Sequence, residues 1–357
     1  MSNTIGEKIR LTVFGQSHAP TIGALIEGLP AGMTIDMERV RAFMARRAPG
    51  KNALSTARRE ADEPRIIAGL NEWGQTCGAP LCMVIENTDA RSRDYSRLRD
   101  LPRPGHADYT AALRYSGAND IRGGGQFSGR LTAPICFAGA VCMQILEQKG
   151  IKIGGHIASI ADADDERFDI PDEAMLDKIA SHDFHVIDEA AGERMRERIA
   201  QAKAEGDSVG GVVEVCALNV PAGIGDPMFD GIENSLARAA FGIPAVRGVE
   251  FGTGFAAARM RGSQHNDPFR VGENGKIVTA TNHHGGVLGG ITSGMPIVMR
   301  VAFKPTPSIA KQQDTISLAK NENDTLIIEG RHDPCIVHRA LPCVEAIMAL
   351  VILDKIV

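Results

Sequence analysis

Apolar positions recur along the chain with two different periods, and these predict a protein built from both strands and helices. Short apolar or alternating runs predict strands over residues 10–14, 22–26, 81–86 and 212–218, and one or two strands over residues 287–303. Apolar residues at helical spacing predict helices over residues 36–47, 132–149, 190–205, 227–241 and 340–353. Asp36 is the expected cap of the first helix, Pro134 the expected start of the second and Gly206 the expected end of the third.

Polar segments separate these elements. Their composition predicts a loop over residues 58–65, an exposed excursion over 162–172 and a connection over 317–324. The strands and helices alternate without the regular spacing of βαβ units, and no linker divides the chain. We therefore expect an α+β fold, a single layered domain over residues 1–357. Residues 22–32 and 209–223 are both glycine-containing apolar runs that end in Pro-Ala-Gly, which suggests an internal duplication.

Composition narrows the classes of protein to which the chain can belong. Its net charge of −5 argues against nucleic acid as the main partner, since that partner requires a basic surface. The seven cysteines are odd in number and form no CxxC pair, which favours reduced thiols in the cytoplasm. The N-terminal residues lack the apolar core of a signal peptide, and the most apolar stretches, 131–146 and 346–353, are too short or too interrupted to cross a membrane.

The segment over residues 103–130 holds the densest set of chemically capable residues. It carries His106 on a Pro-Gly turn, three consecutive glycines at 123–125, and four arginines, Arg103, Arg114, Arg122 and Arg130. Glycine-rich turns allow a ligand to approach the backbone, and guanidinium groups bind phosphate and carboxylate well. Such closely spaced arginines are expected to repel one another without a shared anion, which predicts an anionic ligand. The histidine adds a group that can transfer a proton near neutral pH.

Three other motifs could carry chemistry. GQSHA at 15–19 places Ser17 and His18 on a turn, NHHGGVLGGITSG at 282–294 precedes FKPTPS at 303–308, and GRHDPC at 330–335 presents three polar residues in succession. A solvated histidine and a glycine-rich hairpin are the plainer interpretations of the first two, and cations at a helix end explain Arg46-Arg47 equally well. The sequence contains no metal-ligand spacing, no Walker A motif, no GxGxxG after a strand and no GxSxG elbow.

Taken together, the motifs resemble those of the chorismate synthase family nearly from end to end. The most specific are RPGHADY at 103–109, GDSVGGVVEV at 206–215, AVRGVEFGTGF at 245–255, HHGGVLGGITSGMPI at 283–297 and GRHDPC at 330–335. The resemblance implies a β-α-β sandwich that assembles as a homotetramer and binds reduced FMN. It also implies the anti-1,4-elimination of phosphate from 5-enolpyruvylshikimate 3-phosphate to give chorismate, the last step of the shikimate pathway. Whether NADPH serves this chain as the source of reducing equivalents is left open.

The resemblance further implies roles for individual residues. His18 matches the histidine that protonates the departing phosphate, His106 the one that supplies a proton to the reduced flavin, and Asp333 the acid group that helps to deprotonate flavin N5. The implied substrate contacts are Ser17, Arg47, Arg103, Ser128, Arg130 and Arg331. The implied flavin contacts are Arg47, Gln126, Phe127, Ser128, Pro244, Ala245, Gly289, Lys304, Pro305, Thr306, Pro307, Ser308 and Arg331.

Several positions depart from the family pattern. Beside His18, this chain has Gln16 and Ala19 where the family has Glu and Gly. Further along, it has Gln126 where the family has Arg, Leu131 where the family has Glu, and Ala53 where the family frequently has Arg. They bear on the phosphate contacts and on any NADPH site, so we expect a divergent but functional family member. Two alternatives stay open, namely a non-catalytic flavin- or anion-binding paralogue on the same fold and a flavin oxidoreductase with net electron transfer.

Overall fold

The computed structural model describes residues 3–48, 62–87, 97–272, 275–328 and 333–357. The strands in these ranges are β1 Thr4–Ile5, β2 Arg10–Gly15, β3 Thr21–Glu27, β4 Arg65–Ala68, β5 Leu81–Glu86, β6 Lys152–Ile160, β7 Ala163–Asp164, β8 Gly211–Leu218, β9 Val246–Phe251, β10 Phe269–Val271, β11 Ile277–Thr279, β12 Val287–Leu288, β13 Ile291–Thr292, β14 Ile297–Phe303, β15 Gln313–Ser317 and β16 Glu322–Leu326. The helices are α1 Met37–Arg47, α2 Asp108–Arg114, α3 Thr132–Gln148, α4 Glu173–Ala180, α5 Glu189–Ala204, α6 Ile232–Ala240, α7 Gly262–His265 and α8 Val337–Ile356.

Two five-stranded antiparallel sheets frame the molecule. The first has the order β1-β2-β3-β5-β4 and the second the order β7-β6-β8-β14-β9. The pairs β10–β11, β12–β13 and β15–β16 form separate hairpins. In each large sheet the inner face is apolar, so both sheets need a cover that buries it.

A layer of helices between the sheets supplies that cover. Helix α3 packs on the first sheet, α8 packs on the second, and the two helices pack against each other with α1 and α6 beside them. Their closest approach is at Gly139, where an added Cβ would lie 2.2 Å from the Cβ of Ala346. Both helices are apolar nearly all round because both sides of each are covered. This arrangement confirms the expected mixture of helices and strands.

The apolar character of α3 raises the question of a membrane span. The expectation that the stretch 131–146 is too short or too interrupted to cross a membrane is wrong, because the helical stretch 129–148 that contains it is long and apolar enough. However, 78% of its most apolar window is buried within the protein. That burial is typical of a core helix in the centre of a layered fold, so the stretch gives only weak evidence for a membrane protein.

Several predicted elements are confirmed with small shifts of their ends. In α1, Asp36 caps the helix by accepting from the backbone N–H groups of Glu38 at 3.0 Å and Arg39 at 3.1 Å. Helix α3 begins at Thr132, two residues before the expected start. The first-turn N–H groups of a helix have no intrahelical partner, so Pro134 is tolerated there without being the first residue.

Other predictions are wrong in part. The polar connection over 317–324 is the end of the hairpin β15–β16, and residues 287–303 contain three strands instead of one or two. The excursion over 162–172 is not wholly exposed, since Phe168 is buried against the second sheet. In the predicted loop 58–65, Arg65 begins strand β4, while residues 58–61 lie outside the described residues.

A row of charged residues crosses the outer face of the second sheet. His156, Glu214 and Arg300 occupy paired positions on β6, β8 and β14. Glu214 accepts from His156 Nε2 at 2.9 Å and from Arg300 Nη1 at 2.7 Å, and Asp165 lies 3.0 Å from His156 Nδ1. Because all of these groups are buried, each charge needs the partner that the neighbouring strand supplies.

Candidate active site

The site is built from the turn between β2 and β3. Ser17 and His18 lie on this turn and are both buried. The backbone N–H of Ser17 donates to the carbonyl of Gly125 at 3.0 Å, which fixes the turn against the glycine triplet. The Ser17 Oγ has no hydrogen-bond partner among the described residues, so a buried polar group is left for a ligand to satisfy.

The glycine triplet separates the two histidines of the site. Gly123, Gly124 and Gly125 all have positive φ values, of 60°, 85° and 56°. A Cβ on Gly123 would lie 2.7 Å from His18 Nε2, and a Cβ on Gly124 would lie 3.3 Å from His106 Nε2. The triplet is therefore required both by its backbone conformation and by the close approach of two imidazole rings. One loop thus brings together two histidines that are 88 residues apart in sequence (106 − 18).

His106 is held by a buried carboxylate. Asp108, the first residue of α2, lies 2.6 Å from His106 Nδ1 and accepts from Arg103 Nε at 2.7 Å. Burial opposes ionisation of Asp108, but the hydrogen bonds from Arg103 and His106 hold its pKa well below its usual range. The ionised carboxylate favours a proton on Nδ1, which orients the ring with Nε2 towards Gly124.

Arg47 and Arg130 share a second buried carboxylate. Asp62 accepts from Arg47 Nε at 3.0 Å through one oxygen and from Arg130 Nη1 through the other. Burial opposes ionisation of Asp62, but the two guanidinium groups hold its pKa below its usual range. Arg130 Nε also donates to Asn87 Oδ1 at 3.0 Å, and Asn87 Nδ2 donates to the carbonyl of Ala19 at 2.7 Å. The arginine pair is thereby connected to the turn that carries His18.

The turn over residues 304–308 closes the other side. Lys304 Nζ donates to the carbonyl of Gly105, and Arg103 Nη1 donates to Ser308 Oγ at 3.2 Å. The backbone N–H of Lys304 donates to the carbonyl of Ala245 at 3.0 Å. Burial and the nearby charge of Arg247 lower the pKa of Lys304. The segments over 103–106, 244–245 and 304–308 therefore meet in one place, as the implied flavin contacts require.

Asp333 joins the same set from the start of the last helix. Thr306 Oγ1 donates to its carbonyl at 2.8 Å, and Arg339 Nη1 donates to its Oδ2 at 2.6 Å. Arg339 Nε in turn donates to the carbonyl of Arg47 at 2.9 Å. A chain of hydrogen bonds thus runs from the 304–308 turn through Asp333 to the shared Asp62 pair.

Not every implied contact is connected in this way. Gly289 lies in the hairpin β12–β13, and no contact between described residues joins it to the histidines or arginines. Gln126 and Phe127 follow the glycine triplet, and the Phe127 ring is 37% exposed. Arg331 and Ala53 lie outside the described residues. The other implied contacts lie on segments already placed, and these are Ser128, Pro244, Pro305 and Pro307.

The prediction that the arginines between residues 103 and 130 repel one another unless they share an external anion is wrong. Three of the four arginines between residues 103 and 130 have a carboxylate partner within the protein: Arg103 with Asp108, Arg122 with Asp120, and Arg130 with Asp62. No external anion is required to neutralise their repulsion. Among the described residues, the three guanidinium groups of Arg47, Arg103 and Arg130 share two buried carboxylates, those of Asp62 and Asp108.

Sequence reasoning missed four residues that organise the site, namely Asp62, Asn87, Asp108 and Arg339. Asp108 lies two residues after His106, a spacing that could have indicated its role as the partner of the imidazole. The other three contact residues distant in sequence, and no local pattern marks them.

Two histidines, two buried carboxylates and buried guanidinium groups around a glycine loop define an enzyme site suited to a small polar substrate. The family model for chorismate synthase matches residues 9–357. The chorismate synthase of Korarchaeum cryptofilum (strain OPF8) is 49% identical over 351 residues, which cover 98% of this chain and 96% of the relative. That of Thermococcus gammatolerans (strain DSM 15229 / JCM 11827 / EJ3) is also 49% identical over 351 residues, with the same two coverages.

A solved structure described as a crystal structure of chorismate synthase covers 98% of this chain and 92% of its own, with 30% sequence identity and a TM-score of 0.75. The chain belongs to the chorismate synthase family, and it is a lyase. None of these similarities supports the non-catalytic alternative.

Proposed function

We propose that the chain converts 5-enolpyruvylshikimate 3-phosphate to chorismate and inorganic phosphate, with reduced FMN as its cofactor. The observation that supports this best is the glycine triplet, in which Gly123 lies against His18 and Gly124 lies against His106. One proton donor can act on the leaving phosphate while the other acts on the cofactor, and neither imidazole displaces the other.

The residues present fit a flavin phosphate and ring. Three segments meet around Gly105, where an added Cβ would have only Lys304 Nζ and Pro307 Cβ near it, both at 3.8 Å. Gly289 has a positive φ and open space beyond its Cα, as a cradle for a flat ring requires. Lys304 and Ser308 add polar groups beside Gly105 and Arg103, Ser128 lies beside Gly124, and Phe127 adds an exposed side chain. Reduced FMN, when bound, supplies transient electron density to the reaction and recovers it without net redox change.

The protein's own residues supply placement, charge and protons. The C3–O bond of the substrate breaks and phosphate leaves with the bonding electrons, so negative charge grows on its oxygens. His18 delivers a proton to one of these oxygens, while Arg47, Arg103 and Arg130 stabilise the charge in a site from which water is excluded. Ser17 Oγ, which is buried and has no partner among the described residues, donates to the same anion.

His106 and Asp333 carry the remaining proton movements. Asp108 keeps the proton of His106 on Nδ1 and stabilises the imidazolium when Nε2 takes up a second proton. The Asp333 carboxylate is fixed by Arg339 at 2.6 Å and accepts a proton on the cofactor side. The C6 hydrogen leaves as a proton to the cofactor side of the site, and the electrons of the C6–H bond form the new ring double bond as the C3–O bond breaks. Because phosphate leaves from the opposite face, the elimination is anti.

An anaerobic assay tests the proposal. Purified protein is mixed with 5-enolpyruvylshikimate 3-phosphate and chemically reduced FMN, and chorismate and phosphate are measured together with the flavin spectrum. We expect the two products in equal amounts and the flavin still reduced. Tight FMN binding without product would overturn the proposal, and consumption of one NADPH for each turnover would indicate an oxidoreductase instead.

We also propose that the chain forms one domain, assembles as a homotetramer and works in the cytoplasm. Large apolar side chains on the surface support self-assembly; the most exposed are Phe229, Phe255, Met228, Trp73 and Val271. All seven cysteines are unpaired thiols, which supports a reducing compartment. Light scattering after size-exclusion chromatography tests the assembly, and a monomer at micromolar concentration would contradict it.

A further inference from the structure

We propose that Asp62 is a positioning residue that holds the guanidinium groups of Arg47 and Arg130 as one anion-binding unit. The inference rests on the proposed function, which assigns both arginines to the substrate. Asp62 is the only group among the described residues that bonds to both of them through its side chain: Oδ2 accepts from Arg47 Nε at 3.0 Å and from its Nη2, and Oδ1 accepts from Arg130 Nη1. No feature of the sequence assigned this residue a role.

Asp62 is buried at least as deeply as the two arginines that it holds. Its side chain is 0% exposed, whereas the side chains of Arg47 and Arg130 are each 4% exposed. A carboxylate that only filled the substrate's place would lie on the solvent side of the pair. The backbone at Asp62 has a φ of 50°, a conformation that aspartate tolerates better than most residues, and Asp62 lies three residues before the start of β4 at Arg65. The carboxylate is thus fixed to the first sheet.

The other hydrogen bonds donated by Arg47 and Arg130 show which parts of the site this unit is attached to. Arg47 Nη1 donates to the carbonyl of Gly129 at 3.2 Å and to Thr132 Oγ1 at 3.3 Å, at the start of α3. Through Asn87, Arg130 is connected to the turn that carries His18. Asp62 therefore keeps two cations at a fixed distance from the histidine that acts on the leaving group.

Replacing the carboxylate by an amide separates orientation from charge. In Asp62→Asn the side chain has one acceptor oxygen and one NH2 group, so in either orientation one guanidinium meets a donor. That guanidinium loses its carboxylate acceptor and its direction changes, which weakens substrate binding. Charge alone predicts the opposite result, because the variant adds one unit of positive charge to an anion site.

The test compares Asp62→Asn with Asp62→Glu and with the control Glu63→Gln. The control removes the same charge one residue away, from a pair with Arg41 in which the Glu63 side chain is 60% exposed. With saturating reduced FMN, we expect Asp62→Asn to raise the KM for 5-enolpyruvylshikimate 3-phosphate about thirtyfold, with a smaller change in kcat. Asp62→Glu keeps the charge and should raise KM severalfold, while Glu63→Gln should leave both constants within about twofold of wild type.

An unchanged or lower KM in folded Asp62→Asn would overturn the proposal and favour a carboxylate that competes with substrate. If Asp62→Asn does not fold, a wild-type KM in Asp62→Glu would overturn it instead. Calorimetric binding of inorganic phosphate keeps this test separate from the proposed function. Weaker phosphate binding in Asp62→Asn than in Glu63→Gln supports the role of Asp62 even if the wild type forms no chorismate, and equal binding contradicts it.

Discussion

Gly123→Ala tests whether the glycine triplet sets the position of His18. In the wild type an ideal Cβ at residue 123 would lie 2.5 Å from Ser17 Oγ and 2.7 Å from His18 Nε2. Ordinary van der Waals contact begins near 3.4 Å, so the imidazole or the loop has to move by roughly 0.7 Å or more. Both contacts are with side chains that the mechanism uses, and Ser17 and His18 are buried with little room to retreat.

The size of the effect follows from that displacement. A shift of about 1 Å in a catalytic group can lower the rate about a hundredfold, so we expect kcat to fall roughly 30- to 100-fold. The positive φ of 60° adds a separate cost to folding of about 1–2 kcal/mol, because alanine is strained in the left-handed region. The first effect is specific to the site, whereas the second is shared by any alanine placed at a left-handed glycine.

Gly117→Ala is the matched control. Gly117 has a φ of 75°, and nothing lies within 4 Å of an added Cβ, so this variant has the backbone strain without the contact. Steady-state kinetics under anaerobic conditions and unfolding in urea measure both effects. We expect similar losses of stability in the two variants and a loss of kcat in Gly123→Ala alone. Equal activity of the two variants would refute the argument that this glycine positions the histidine.

Three further results are expected. The pKa of Asp108 is lower in the folded chain than in the unfolded chain, so its stabilisation is complete above about pH 4 and is lost as pH falls towards the folded value. In urea unfolding between pH 3 and 7, Asp108→Asn should have a lower free energy of unfolding than wild type at pH 7, and that free energy should fall less with acid. Parallel curves of stability against pH for the two proteins would contradict this. Burial opposes protonation of His156, but the hydrogen bonds that it donates to Asp165 and Glu214 raise its pKa. Its stabilisation is therefore complete below about pH 6.5 and is lost as pH rises through the folded value. His156→Gln should lower the free energy of unfolding by about 3–5 kcal/mol at pH 6, and a loss under 1 kcal/mol would refute the charged row. Cys77 is exposed, whereas burial raises the pKa of Cys142 to about 12. Mass spectrometry after brief alkylation should therefore find Cys77 modified and Cys142 intact, and the reverse order would contradict the core packing.

Local signals in the sequence were sufficient for elements whose cause is local. One capping aspartate and one apolar face were enough to predict helix α1. Strand β5 begins and ends at the predicted residues because a run of apolar and β-branched residues extends over its whole length. Strand β6 was not predicted, because Gly154 and Gly155 interrupt its apolar pattern. The structure gives the reason for the first of them: a Cβ on Gly154 would lie 3.2 Å from the side chain of Leu176 on α4. A glycine required by a distant helix cannot be distinguished in sequence from one required by a turn.

The charges of the site also depend on residues that are distant in sequence, and this affects the prediction of its ligand. The arginines were visible in the sequence, but the carboxylate that neutralises Arg130 is Asp62, which is 68 residues away. Counting cations in one segment therefore overstated the charge available to a ligand. Among the described residues, Arg47, Arg103 and Arg130 are held in place by two buried carboxylates, those of Asp62 and Asp108. Such a site binds an anion through the fixed direction of its N–H groups more than through total charge. For this reason the amide variant of Asp62, which increases the charge and disturbs the direction, separates the two contributions more clearly than removal of any arginine.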